Sequence, residues 1–161
     1  MKNKRIIIAA AAAVVVIAAV LLCRFYCFEN RAVLVLRDSD SKRTYARYKL
    51  DEGDVFSITF IHSVNKSPVT ESYTIMDGKI YLTGCRYFAF GAGVATTLED
   101  GQTLHYDEDG AMVISNINTL ITNLIYVVGT ISDHVLEINE ETVSLRELCG
   151  QNSRVSFIYK D

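Results

Sequence analysis

Short-spaced ligand pairs are missing from this chain of 161 residues, and that absence removes several chemistries at once. The three histidines, His62, His105 and His134, form no His-x-His or His-x-x-x-His pair that would nucleate a zinc site. The four cysteines contain no Cys-x-x-Cys, so thiol exchange and structural zinc lack their usual framework. Cys23 and Cys27 have the spacing of one helical face. Cys85 and Cys149 lie further on, and nothing in the sequence sets the distance that a disulfide between them would need. Basic charge is also scarce beyond the N-terminus. Three of the 16 basic side chains precede Ile6, and all 19 acidic ones follow Leu22, which leaves the body at a net −6. An acidic body disfavours nucleic-acid binding, and no nucleic-acid partner is expected. With one proline and no internal repeat, a proline-rich or solenoid architecture is excluded.

What is present begins with Ile6 to Leu22, an unbroken apolar run preceded by Lys2, Lys4 and Arg5. At about 1.5 Å per residue it spans about 26 Å, the short end for a bilayer. It reads as a retained membrane anchor or as a signal peptide. The bulky end, Val20-Leu21-Leu22, favours the anchor, because a signal peptidase site wants small residues there. The leading basic residues hold the N-terminus in the cytoplasm and place the rest outside. The expected organisation is an anchor over 1–28 and an extracytoplasmic domain over 29–161, single-pass at the cell membrane. Within that domain a basic neck, Arg24 to Lys49, precedes an acidic remainder. Such a neck either lies against anionic lipid or is a solvated surface.

Short apolar-alternating segments punctuated by turns fill the domain. Ala32 to Leu36, Tyr45 to Leu50, Lys79 to Leu82, Val135 to Ile138, Thr142 to Leu145 and Val155 to Tyr159 read as strands. Asp77-Gly78 is a two-residue hairpin turn, and Glu99-Asp100-Gly101, Asp107 to Gly110 and Asn139-Glu140-Glu141 are further turns. With nine tyrosines and one proline, this pattern predicts an all-β sandwich or barrel of short antiparallel strands. One stretch departs from it. Ile117, Leu120, Ile121, Leu124, Ile125 and Val128 fall at helical spacing, with Asn116 placed to cap and Gly129 to terminate, so a short helical turn running into a strand is expected there.

The chemistry concentrates in Thr59 to Ile75. Phe56, Ile58, Phe60 and His62 alternate onto one face before a turn, and Val69, Glu71, Tyr73 and Ile75 share a face after it. If Asn65-Lys66-Ser67-Pro68 is the turn, His62 faces Glu71 directly, and a basic and an acidic side chain meet on an apolar surface. Such a pair costs desolvation unless each group satisfies the other. His134 is in phase with Leu136 and Ile138 and points inward by the same logic. A lone inward histidine is usually a hydrogen-bonded core residue, but His62, Glu71 and His134 together also make a conceivable ligand or metal set. Gly91 and Gly93, in Phe90-Gly91-Ala92-Gly93, either serve a corner or expose backbone N–H groups to an anion. Asp107 to Gly110 lacks full calcium-loop spacing and reads better as a hairpin tip. Ser63 cannot pair with His62 as nucleophile and base, because strand neighbours point to opposite faces. No catalytic residue, cofactor or metal is assigned.

Taken together, His62-Ser63-Val64, Pro68-Val69, Glu71, Phe90-Gly91-Ala92-Gly93, Val128-Gly129, and His134 with Leu136 resemble the motif series of bacterial domain-of-unknown-function family 1850. The resemblance runs from about Leu34 to Tyr159. That family is typically encoded beside TAXI-type TRAP transporters, secondary carriers with an extracytoplasmic solute-binding protein. The resemblance implies a non-catalytic accessory role, in contact with a transporter permease or solute-binding protein. The alternative is a small extracytoplasmic enzyme or a ligand- or metal-binding module using His62, Glu71 and His134. The resemblance supplies no reaction and no role for a single residue.

Overall fold

Period-two alternation is the rule throughout the folded body, and it builds two antiparallel sheets face to face. The computed structural model describes residues 15–19, 32–89 and 98–160. Residues 15–19 are helical, and Ala32–Lys160 forms a compact unit of its own. Among the described residues no helix is long and apolar enough to cross a membrane. Most of Ile6 to Leu22, both Cys23 and Cys27, and the Phe90-Gly91-Ala92-Gly93 segment lie outside them.

Strands β1 (Val33–Asp38), β2 (Thr44–Lys49), β3 (Val55–Ile61), β4 (Pro68–Met76), β5 (Lys79–Tyr87) and β6 (Thr103–Tyr106) come first. They are followed by β7 (Met112–Ile121), β8 (Leu124–Val127), β9 (His134–Ile138), β10 (Glu141–Ser144) and, after helix α1 (Leu145–Cys149), β11 (Arg154–Lys160). The smaller sheet runs β2-β1-β11-β8 and the larger β10-β9-β3-β4-β5-β7-β6. The expected all-β sandwich is therefore what the chain forms. Leu34, Leu36 and Phe157 of the smaller sheet pack against Phe56, Ile58, Ile75 and Leu136 of the larger in one buried cluster. A second cluster, Val69, Tyr87, Met112 and Ile114, sits further along the larger sheet. Glu71 lies between the two in the β4 register, with Ile58 of β3 on one side and Cys85 of β5 on the other.

Turn chemistry explains much of the register. Asp77 and Gly78 have φ of 50° and 65°, and Asn139 and Glu140 have 52° and 65°, the left-handed pairs that tight hairpins need. Two expectations are corrected. First, the β3–β4 hairpin closes earlier than Asn65 to Pro68. Ile61 pairs with Pro68 and Ile58 with Glu71, so His62 stands beyond the ladder and does not face Glu71. The reason is the loop itself. His62 N–H donates to the Ser67 carbonyl at 2.9 Å, Lys66 N–H returns to the His62 carbonyl at 3.0 Å, and Lys66 takes φ of 56°. Proline 68 begins the next strand instead of sitting in the turn. Second, no helix forms over 117–128, where β7 continues into β8. Asn116, at φ 61°, marks a bulge in β7 where the pairing with β5 shifts between Leu82 and Gly84, and β-branched packing outweighs the helical spacing.

Candidate functional site

Three strand ends and one loop assemble the site. Phe60 near the end of β3 and His134 at the start of β9 are directly paired, and their rings stack at 5.4 Å. Tyr126 of β8 closes over both, 6.0 Å from Phe60 and 5.7 Å from His134. Its hydroxyl crosses from the smaller sheet to donate to Glu71 Oε2, and Tyr73 donates to the same oxygen at 3.0 Å. The two hydroxyls are themselves 2.7 Å apart, so two protons serve three oxygen–oxygen edges. The acidic residue expected on the apolar face is there. Its partners are tyrosines from β4 and β8, not His62.

Burial governs the electrostatics of this cluster. Desolvation, reinforced by the Glu71 charge, pushes the Tyr73 and Tyr126 phenols well above their ordinary value and the Cys85 thiol up to about 12. Burial likewise pushes the Cys149 thiol up to about 11. Both cysteines are free, so the disulfide left open by the sequence is not formed. For His134, desolvation lowers the imidazole below 6.5; Arg146 acts in the same direction, against Asp133 and Glu71.

Each site histidine is tied to backbone through Nδ1. In His134, Nδ1 accepts the Gly129 N–H at 3.3 Å, and in His62 it accepts from Val64 N–H at 3.2 Å and Asn65 N–H at 3.3 Å. An accepting ring nitrogen carries no proton, so in these contacts the Nδ1 lone pair of each ring is occupied. A metal-bound histidine usually coordinates through one nitrogen and donates N–H from the other. These rings have the opposite arrangement for coordination through Nε2, which argues against His62 and His134 as a metal pair. Among the described residues, no three His, Cys, Asp or Glu side chains gather as a ligand set.

The loop before His134 is fixed with unusual tightness. A Cβ on Gly129 would lie 2.4 Å from the Ser132 carbonyl oxygen, so this position excludes any larger residue without a backbone shift. Asp133 accepts the backbone N–H of His134 at 2.7 Å and of Arg146 at 3.0 Å, and it accepts from the Ser144 hydroxyl, tying the loop to the start of α1. Arg146 donates to the Gly129 carbonyl at 3.1 Å. Between this loop and the His62 to Lys66 loop lies a groove of about 490 Å³, with Phe60, His62, Lys66, Gly129, Ile131 and His134 among its walls. Its rim carries one open apolar side chain, Ile131, which is 91% exposed.

His62 and His134 thus meet at one groove, with Glu71 behind His134 in the tyrosine cluster. Gly91 and Gly93 lie outside the described residues. The Asp107 turn is a hairpin tip, where Asp107 accepts from Asp109 and Ala111 N–H groups and pairs with Arg86 at 2.6 Å. Sequence reasoning missed Tyr126, Asp133 and the tight contact at Gly129. The phase of Tyr126 with Leu124 was the available signal for the first.

The His134 shift has a consequence for acid stability. Between 6.5 and its lower native value, the unfolded chain binds a proton that the folded ring does not, so this contribution is complete above 6.5 and is lost as pH falls through the window. Thermal melts from pH 7.5 to about pH 5 should show a falling melting temperature, and His134→Gln should remove this component. Parallel curves for the two proteins would place the titration elsewhere.

A family model described as a domain of unknown function (DUF1850) matches residues 56–145, more than half of the chain. This is narrower than the resemblance from about Leu34 to Tyr159, yet it contains Glu71, Tyr73, Tyr126, Gly129 and His134. No curated protein and no solved structure matches.

Proposed function

The chain belongs to the DUF1850 family, whose function is unknown, and from that premise we propose that it is a membrane-tethered, extracytoplasmic, non-catalytic accessory protein of a TAXI-type TRAP solute transporter. In this reading the groove between the His62 and Ile131 loops contacts the permease or the solute-binding protein. One observation carries the choice of binding over catalysis: burial keeps the thiol and phenols at the site protonated, and backbone N–H groups engage the histidines. The Cys85 thiol is pushed up to about 12, the phenols are raised, and both histidine Nδ1 atoms are occupied by backbone N–H groups. A nucleophile needs a lowered pKa or an adjacent base, and a general base needs an available lone pair.

The enzyme alternative using His62, Glu71 and His134 loses its central pair, because Glu71 stands opposite Ile58 rather than His62. An exposed apolar rim beside polar walls suits a protein contact, where an apolar anchor is surrounded by hydrogen-bonding groups. Solute uptake tests the proposal. Cells carrying Ile131→Glu should lose transport, while Val55→Glu, a change at an exposed position on β3 away from the groove, should leave it intact. Full uptake with Ile131→Glu, at normal protein levels, would sink the idea.

A further inference from the structure

The outward face of the smaller sheet carries a charge pattern opposite to that of the rest of the body. Because Leu34, Leu36, Val155 and Phe157 face the core, the register turns their alternate neighbours outward. Those outward positions include Arg37 of β1, Arg47 and Lys49 of β2, and Arg154 and Lys160 of β11. No outward strand position of this sheet holds a carboxylate, although the body beyond Leu22 has a net charge of −6. Five cations therefore share one face of an acidic domain.

Their local neutralisation is incomplete. Lys49 reaches Asp51 at 2.6 Å and Arg154 reaches Asp40 at 3.6 Å, both in flanking turns. Among the described residues, Arg37, Arg47 and Lys160 have no ion-pair partner, and the buried Nε of Arg37 has no hydrogen-bond acceptor. Apolar side chains are interleaved with them: Val127 is 55% exposed, and Ile125 and Ile158 are half-buried on the same face.

We propose that this face lies against the headgroups of an anionic lipid bilayer. Basic groups meet lipid phosphates, and the interleaved valine and isoleucine side chains enter the interfacial layer. Chain length agrees with that occupant. The apolar run ends at Leu22 and β1, the second strand of this sheet, begins at Val33. The intervening residues reach at most about 35 Å when extended, so an anchored chain holds this sheet close to the bilayer. The inference rests on the membrane location in the proposed function, but on neither the groove nor a transporter partner.

The full chain in nanodiscs tests it, using phosphatidylcholine alone or mixed with phosphatidylglycerol, each doped with a gadolinium-chelating headgroup lipid. Isoleucine methyl relaxation should be enhanced several-fold more at Ile125 and Ile158 in the anionic discs than in the neutral ones. The difference should shrink in high salt, since exposed charges are screened beyond about 8 to 10 Å at moderate ionic strength. Combined reversal of three exposed cations, Arg47→Glu, Arg154→Glu and Lys160→Glu, should abolish it, with unshifted Ile75 and Ile80 methyls reporting an intact core. The salt dependence of the native chain decides the matter independently of that variant.

Equal enhancement in both discs would overturn the proposal, as would greater enhancement at Ile131 than at Ile158. A reversal variant that kept full lipid enhancement while losing a membrane protein partner would assign the face to an acidic protein and also overturn it. Failure of the transporter reading leaves these lipid measurements unchanged, because they contain no transporter.

Discussion

Replacing Gly129 with alanine should destabilise the domain by about 1 to 3 kcal/mol, the usual range for forcing volume into a packed site. The added Cβ would stand 2.4 Å from the Ser132 carbonyl oxygen, which is backbone and cannot rotate away like a side-chain end. Relief requires the loop to open, and opening moves the Gly129 N–H from His134 Nδ1 and the Gly129 carbonyl from Arg146. Stability and groove shape should therefore fail together. Gly84→Ala provides the comparison. Its Cβ would lie 3.5 Å from the nearest atom, the Ile114 carbonyl oxygen, an ordinary contact, so urea melts should separate the two variants clearly. Equal stability of both would mean that the Gly129 loop is not as tight as described.

The second large effect belongs to the carboxylate and its two phenols. Changing Tyr73 and Tyr126 together to phenylalanine strips Glu71 of both described donors while leaving the carboxylate on the core face. Hydrogen bonds to charged groups contribute about 1.5 to 3 kcal/mol each, and the part exposure of Glu71 reduces that, so the double variant should lose about 2 to 3 kcal/mol. Adding Glu71→Leu removes the stranded charge and fills similar volume, and much of the loss should return. A triple variant more stable than the double one is the signature of a coupled unit in thermal melts. If Glu71→Leu lowered stability further, Glu71 would be held by other partners and the cluster would not act as a unit.

Local order was legible where local chemistry determines it. Asp77-Gly78 marked its hairpin because those residues adopt left-handed φ at low cost, and the β3, β4 and β9 faces followed from simple alternation. The parity that put Glu71 and His134 on the core side survives because the real β3–β4 register differs from the expected one by an even number of residues. What could not be read was where the ladder stops. That depends on the His62 ring accepting the Val64 and Asn65 N–H groups, a side-chain choice that alternation does not encode. The 117–128 stretch misled for another reason: its apolar spacing fits a helix, but a bulge at Asn116 lets the same residues serve two sheets. Tyr126 meets Glu71 across a separation of 55 residues, and only the packing of β8 over the larger sheet brings them together.

The groove is the point where these features converge, since the tight Gly129 loop, the two backbone-tied histidines and the exposed Ile131 rim form one surface. Its proposed role is tested most directly by site-specific photo-crosslinking of the full chain in native membranes. A photoreactive side chain at position 131 should yield a covalent adduct with a transporter permease or its solute-binding protein, and the same group at position 55 should not. Adducts of equal yield at both positions, or a folded and membrane-bound protein giving none at 131, would contradict the account.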